Sequence, residues 1–144
     1  MRGILSKLPI FAIAAIGLTP TVLAADCNNI VGDGLESMKT ADYEVLVNAI
    51  TTNNFNPPLP TVFSLGPFQR QPFNSFGSAQ LCIANDEIQT VKFDLDDVQI
   101  GVRNILEQCF EGAGGEGGKF TINGNESTGG SVILVVNPSG FDCP

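Results

Sequence analysis

The sequence contains no histidine, no tryptophan, a single tyrosine (Tyr43) and no Cys-x-x-Cys pair. Without histidine the chain can build neither a Ser-His-Asp nor a Cys-His catalytic centre, nor a zinc site with a histidine ligand. The missing Cys-x-x-Cys spacing argues against thiol redox catalysis and against zinc binding. Positive charge is scarce as well. Seven Lys and Arg face 15 Asp and Glu, for a formal charge of -8. Such acidity argues against nucleic acid or an anionic membrane surface as the main partner. What is abundant is apolar: 43% of the 144 residues are hydrophobic, and aromatic chemistry falls to ten phenylalanines. The size fits one small domain.

The first residues read as an address. Arg2 and Lys7 give a positive start, and Leu8 to Leu18 is an apolar run too short to span a bilayer as a helix. Thr19-Pro20 breaks the run, and Val22-Leu23-Ala24 supplies apolar or small residues before a cut after Ala24 or Ala25. Residues 1–24 are therefore expected to be a secretory signal peptide, followed by one disulfide-bridged domain over 25–144. Loss of Arg2 and Lys7 leaves five scattered cations, Lys39, Arg70, Lys92, Arg103 and Lys119, against all 15 acids, a charge of -10. No later segment is apolar enough for a membrane anchor. The expected product is secreted, extracellular and monomeric.

Four cysteines, Cys27, Cys82, Cys109 and Cys143, lie beyond the leader. An even count in a small exported domain implies two disulfides, and four cysteines allow three connectivities.

The remainder reads as mixed helix and strand. Residues 26–39 form a polar arm. A helix is expected from a Thr40 cap through Asn53, with Tyr43, Leu46, Val47 and Ile50 as its apolar stripe. Residues 54–77 hold Pro57, Pro58, Pro60, Pro67 and Pro72 together with Phe55, Phe63, Phe68, Phe73 and Phe76, and Arg70 is their only charge. Thr61 to Leu65 is expected as a strand and the rest as loop. That loop is either pinned to the core by its rings or exposed as an aromatic recognition surface, with Phe68, Arg70 and Phe73 as contact residues. Strands are expected over 80–84, with Leu81 and Ile83 on one face and Cys82 on the other, and over 88–93, with Asp86-Glu87 as the turn between them. Asp94 caps a second helix whose inner side is Leu95, Val98, Val102, Ile105 and Leu106, and which ends at Cys109. Gly101 inside it implies a close backbone approach to the sheet. A glycine-rich turn over 112–118 leads to a strand at 119–122, the turn signal Asn123-Gly124, and a continuously apolar, hence central, strand at 132–136.

Candidate chemistry is thin. A phosphate loop ending at Gly118-Lys119 fails because Ala113 and Phe120 stand where Gly and Ser or Thr are required. Asp94, Asp96 and Asp97 suit catalytic carboxylates, calcium ligands or, by their place at a helix start, cap and dipole partners. Asn123, Asn125 and Ser127 alternate like calcium ligands but lack the glycine and glutamate of an EF-hand. No cofactor or metal is implied. Asn125-Glu126-Ser127 is a valid N-glycosylation acceptor, which places Asn125 on the surface.

The C-terminal half has a definite order. It runs from a cysteine strand, Ala79-Gln80-Leu81-Cys82, through an acidic turn, a strand and a helix ending Val102 to Cys109. A glycine-rich loop, the apolar strand Gly130 to Val136 and terminal Cys143 follow. Over roughly residues 76–143 this resembles the killer-toxin-like and necrosis-inducing effector proteins secreted by filamentous fungi. The resemblance implies an α+β fold, an antiparallel sheet with two helices packed on one face. It further implies the pairing Cys27–Cys109 and Cys82–Cys143. The killer toxins are basic, carry more cysteines and block ion channels through basic residues; this acidic chain offers no such patch. The function expected is that of a secreted, non-enzymatic effector-like protein binding an extracellular protein or cell-wall component of a host or competitor. The alternatives are a small carboxylate enzyme acting on cell-wall polysaccharide and a structural surface protein.

Overall fold

The computed structural model describes residues 24–27, 38–112, 117–140 and 142–143. The expected leader, apart from Ala24, lies outside the described residues, as do most of the polar arm (28–37) and the middle of the glycine-rich turn (113–116).

The elements in chain order are β1 (Asp26–Cys27), α1 (Thr40–Thr51), β2 (Val62–Leu65), β3 (Arg70–Phe76), β4 (Ala79–Ala84), β5 (Val91–Asp94), α2 (Leu95–Ile105), a π-helical turn (Leu106–Gly112), β6 (Gly118–Asn123) and β7 (Ser131–Pro138). Five strands form one sheet in the order β1-β6-β7-β4-β3, and β2 pairs with β5 in a second, two-stranded sheet. All pairings are antiparallel. The expected α+β class, the two helices on one sheet and both disulfides are present.

The apolar run at 132–136 is central because it must bury both faces. β7 pairs with β6 on one side and β4 on the other. Its Val132, Leu134 and Val136 join Leu81 and Ile83 of β4 and Phe120 and Ile122 of β6 in one core. Both helices lie on that face. From α1, Tyr43, Leu46, Val47 and Ile50 are buried at helical spacing; from α2, Leu95, Val98, Val102 and Ile105. Gly101 is buried, and a Cβ there would lie 2.9 Å from both Leu134 Cδ2 and Phe120 Cδ1. The close approach expected of that glycine is what the fold contains.

Several boundaries differ from expectation. Lys39, not Thr40, occupies the N-cap of α1, and no side chain caps it. Asp42 in the first turn instead accepts hydrogen bonds from Ser78. The helix stops at Thr51, because Asn53 turns left-handed (φ 48°) and binds Leu59 through its side chain. The α-helical part of α2 ends at Ile105, and Cys109 sits in the π-helical turn.

The segment expected as loop after Leu65 contains the edge strand β3. Pro72 is tolerated because β3 pairs on one side only, with β4, and its register slips between Pro72 and Asn74. The strand expected over 88–93 begins at Val91, and Ile88 is 82% exposed in the preceding loop. β4 and β5 do not form a hairpin: the chain leaves one sheet and enters the other between them. After Asn123-Gly124 the turn is longer than two residues and closes at Gly130, whose carbonyl accepts the Gly124 N–H.

The bridges are Cys27–Cys109, from β1 to the π-helical turn, and Cys82–Cys143, on the sheet face away from the helices. This is the pairing the resemblance implies.

Candidate binding face

The Phe-rich segment splits into an anchored part and a presented part. Phe55, Phe63 and Phe73 pack against the core. Phe68 is 65% exposed, and its φ of 51° is left-handed, a costly conformation for a side chain with a bulky ring. Its loop is held at several points. The Phe68 N–H donates to the Glu87 carbonyl, the Asn85 N–H donates to the Gln69 carbonyl, and Gln69 Oε1 accepts the Gly66 N–H. Because the Phe68 backbone is bonded to Glu87, exposed Ile88 belongs to the adjoining loop. Two exposed apolar side chains thus stand on loops joined by a backbone hydrogen bond, here termed the tip.

Asn85 organises this tip. It is fully buried; its Nδ2 donates to the carbonyls of Leu65, Gly66 and Gln89, and its Oδ1 accepts the Glu87 N–H. One side chain thus ties the β2–β3 loop to the β4–β5 loop. Neither Asn85 nor Ile88 emerges from the sequence as a site residue. Asn85 stands beside Asp86-Glu87, where a turn explains it, and Ile88 fits a strand alternation.

Arg70, the first residue of β3, reaches Asp86 at 3.3 Å with both side chains about half exposed. Such a surface pair contributes at most about 1 kcal/mol. It leaves the guanidinium at the surface, beside the tip. Phe73 belongs elsewhere. It is the extra residue at the β3 irregularity, with its ring edge-on to Phe63 at 5.1 Å, and Phe63 stacks on Phe93 at 5.4 Å. Phe68 and Arg70 therefore share the outer surface, and Phe73 lines an interior wall.

That wall bounds a cleft of about 280 Å³ between the two sheets. Its lining includes buried Leu65, Ile83 and Phe93, half-buried Phe63 and Phe73, and, at its exposed edge, Gln71. Gln71 stands opposite Ile83 in the β3–β4 register, so it shares the inner face of the sheet yet is exposed.

The acidic candidates cluster at the start of α2. Asp94 occupies the N-cap, and the Asp97 carboxylate accepts its backbone N–H. Burial holds the Asp97 carboxyl above its ordinary value of 3.8 against that bond, and Asp94 and Asp96 add like-charge repulsion. The three acids border an open hollow of about 450 Å³ with Thr61 and Val62. Neither these nor any other three His, Cys, Asp or Glu side chains among the described residues are placed to hold a metal ion together. Asn125 lies in the β6–β7 connection. Its N–H donates to the Lys92 carbonyl and its Oδ1 accepts from Ser127 Oγ at 2.6 Å. Glu126 and Ser127 beside it are exposed.

Among the described residues no helix is long and apolar enough to cross a membrane. Two disulfides and no free cysteine suit a small protein of an oxidising compartment. In comparison with known proteins, no family model matches this sequence and no curated protein is significantly similar to it.

Proposed function

We propose that the protein is a secreted, non-enzymatic effector-like binder, kin in design to the killer-toxin-like and necrosis-inducing proteins. It acts by engaging an extracellular protein or cell-wall component of a host or competitor. The observation that carries this reading is the tip: Phe68 and Ile88, 65% and 82% exposed, stand on adjoining loops locked by a buried asparagine. Exposing two large apolar side chains costs stability that contact with a partner recovers, and a left-handed backbone under one of them is strain of the kind that clusters at ligand-binding sites. Arg70 supplies the polar edge of the contact. Asn125 carries the glycan, and the leader is removed on export.

The carboxylate reading is weaker because the Asp97 carboxylate is engaged by the Asp94 N–H, as a helix-start partner.

The test compares oxidised mature protein with Phe68→Gly and Ile88→Ala in retention on extracellular and cell-wall fractions. Phe68→Gly relieves the left-handed strain, so its melting temperature should hold or rise while retention falls at least tenfold. Retention equal to that of the unaltered protein in both variants would remove the tip from the function.

A further inference from the structure

We propose that the cleft behind the tip is a ligand site for a small, neutral aromatic ring carrying one hydrogen-bonding group. The proposal rests on reading the protein as a binder, and it names a ligand chemistry for the cleft that the Phe-rich segment lines. Size comes first. An apolar cavity of about 150 Å³ holds one benzene, and this cleft offers about 280 Å³, room for one substituted ring. None of its lining residues is charged. A ligand charge would therefore lose its water without gaining a counter-charge, which selects a neutral molecule.

The walls select a ring. Phe63 stacks on Phe93 at 17° between planes and meets Phe73 edge-on at 60°. A flat ligand entering beside them extends a ring array already in place. An aromatic neighbour adds roughly two- to tenfold in affinity over an aliphatic one of equal area. The rim supplies the polar contact. Gln71 faces inward by register with Ile83, and its side chain has no hydrogen-bond partner among the described residues. An apolar pocket with a few convergent polar groups is the usual form of a small-molecule site.

The experiment titrates the oxidised mature protein with p-cresol, following the Ile83 methyl groups and the Phe73 ring by NMR. A dissociation constant on the order of 1 mM is expected for so small a probe. p-Toluate at neutral pH and 4-methylcyclohexanol test charge and flatness; the first should bind at least tenfold and the second at least twofold more weakly. Gln71→Trp, at an exposed edge position, should close the mouth and abolish the shifts with melting unchanged. Gln71→Ala should keep the site open and weaken p-cresol two- to fivefold. Shifts confined to residues outside the cleft, equal binding of either control probe, or full p-cresol affinity in Gln71→Trp would each overturn the proposal. This titration needs no macromolecular partner, so its failure leaves the tip's role standing. Unchanged retention in the tip variants would remove the tip and would likewise leave the p-cresol titration to decide the cleft.

Discussion

Asp42 is the residue on which the β3–β4 hairpin rests. Its Oδ2 accepts Ser78 Oγ at 2.6 Å and the Ser78 N–H at 2.8 Å. Gly77 in the same turn has φ 53°, and a Cβ there would sit 2.6 Å from the Asp42 carboxyl carbon. Only glycine fits both the conformation and the space. The hydroxyl bond first, then the backbone bond, hold the Asp42 carboxyl below its ordinary value of 3.8. A carboxyl depressed in the fold contributes stability that is present above the unfolded value and is lost as pH falls through the lower, folded one. Asp42→Asn should therefore lower the melting temperature at pH 7. The gap from the unaltered protein should close as pH falls below about 3.8, which thermal melts across pH 2–7 would show. A gap independent of pH would mean that the pair acts through shape alone. The sequence marks Asp42 as a first-turn acid but cannot show its partner 36 residues away. Asn85 is hidden in part for a like reason: its bonds to Glu87 and Gln89 are local, but those to Leu65 and Gly66 reach back 20 and 19 residues.

Among the elements, α2 was legible because its pattern is local. Leu95, Val98, Val102 and Ile105 repeat at helical spacing, and the one irregular residue, Gly101, signals the sheet it touches. Gly101→Ala tests that contact. Alanine favours the helix by roughly 0.5–1 kcal/mol, but its methyl must displace Phe120 and Leu134, and overpacking costs about 1–3 kcal/mol. A net loss of about 1 kcal/mol in urea unfolding is expected; a gain would mean that both side chains turn aside. β3 was not legible. Five prolines between 57 and 72 outweigh its short alternation, and nothing local says that Pro72 lies on an unpaired edge. The pair Gly77-Ser78, two turn-forming residues between Phe76 and the apolar run from Ala79, was the available signal of a hairpin, weakened by the polar residues of β3. β5 was placed as a strand, but its choice of β2 over β4 depends on the second sheet, which no local pattern encodes. The cleft shares that fate, because its residues come from β2 and the segment before it, β3, β4 and β5, and meet only where the sheets do.

At the scale of the molecule, two covalent ties hold a chain whose core is small. The bridges close loops of 82 and 61 residues by sequence separation. Replacing either pair by alanine should cost about 2–4 kcal/mol in guanidinium unfolding, with only a few tenths between them from loop length. A much larger difference would locate extra strength in the packing around one bridge, Cys109 beside Gly118 or Cys82 under the C-terminal tail. The expectation of this pairing came from the resemblance, whereas spacing alone left three alternatives.

The two bridges also interleave: Cys82 lies inside the loop closed by Cys27 and Cys109, and Cys109 inside that closed by Cys82 and Cys143. A peptide bond cut anywhere between Cys27 and Cys143 therefore falls within at least one closed ring. After a single cut by an extracellular protease the chain remains one covalent body, and its two pieces part only when a reductant opens the sulfur bonds.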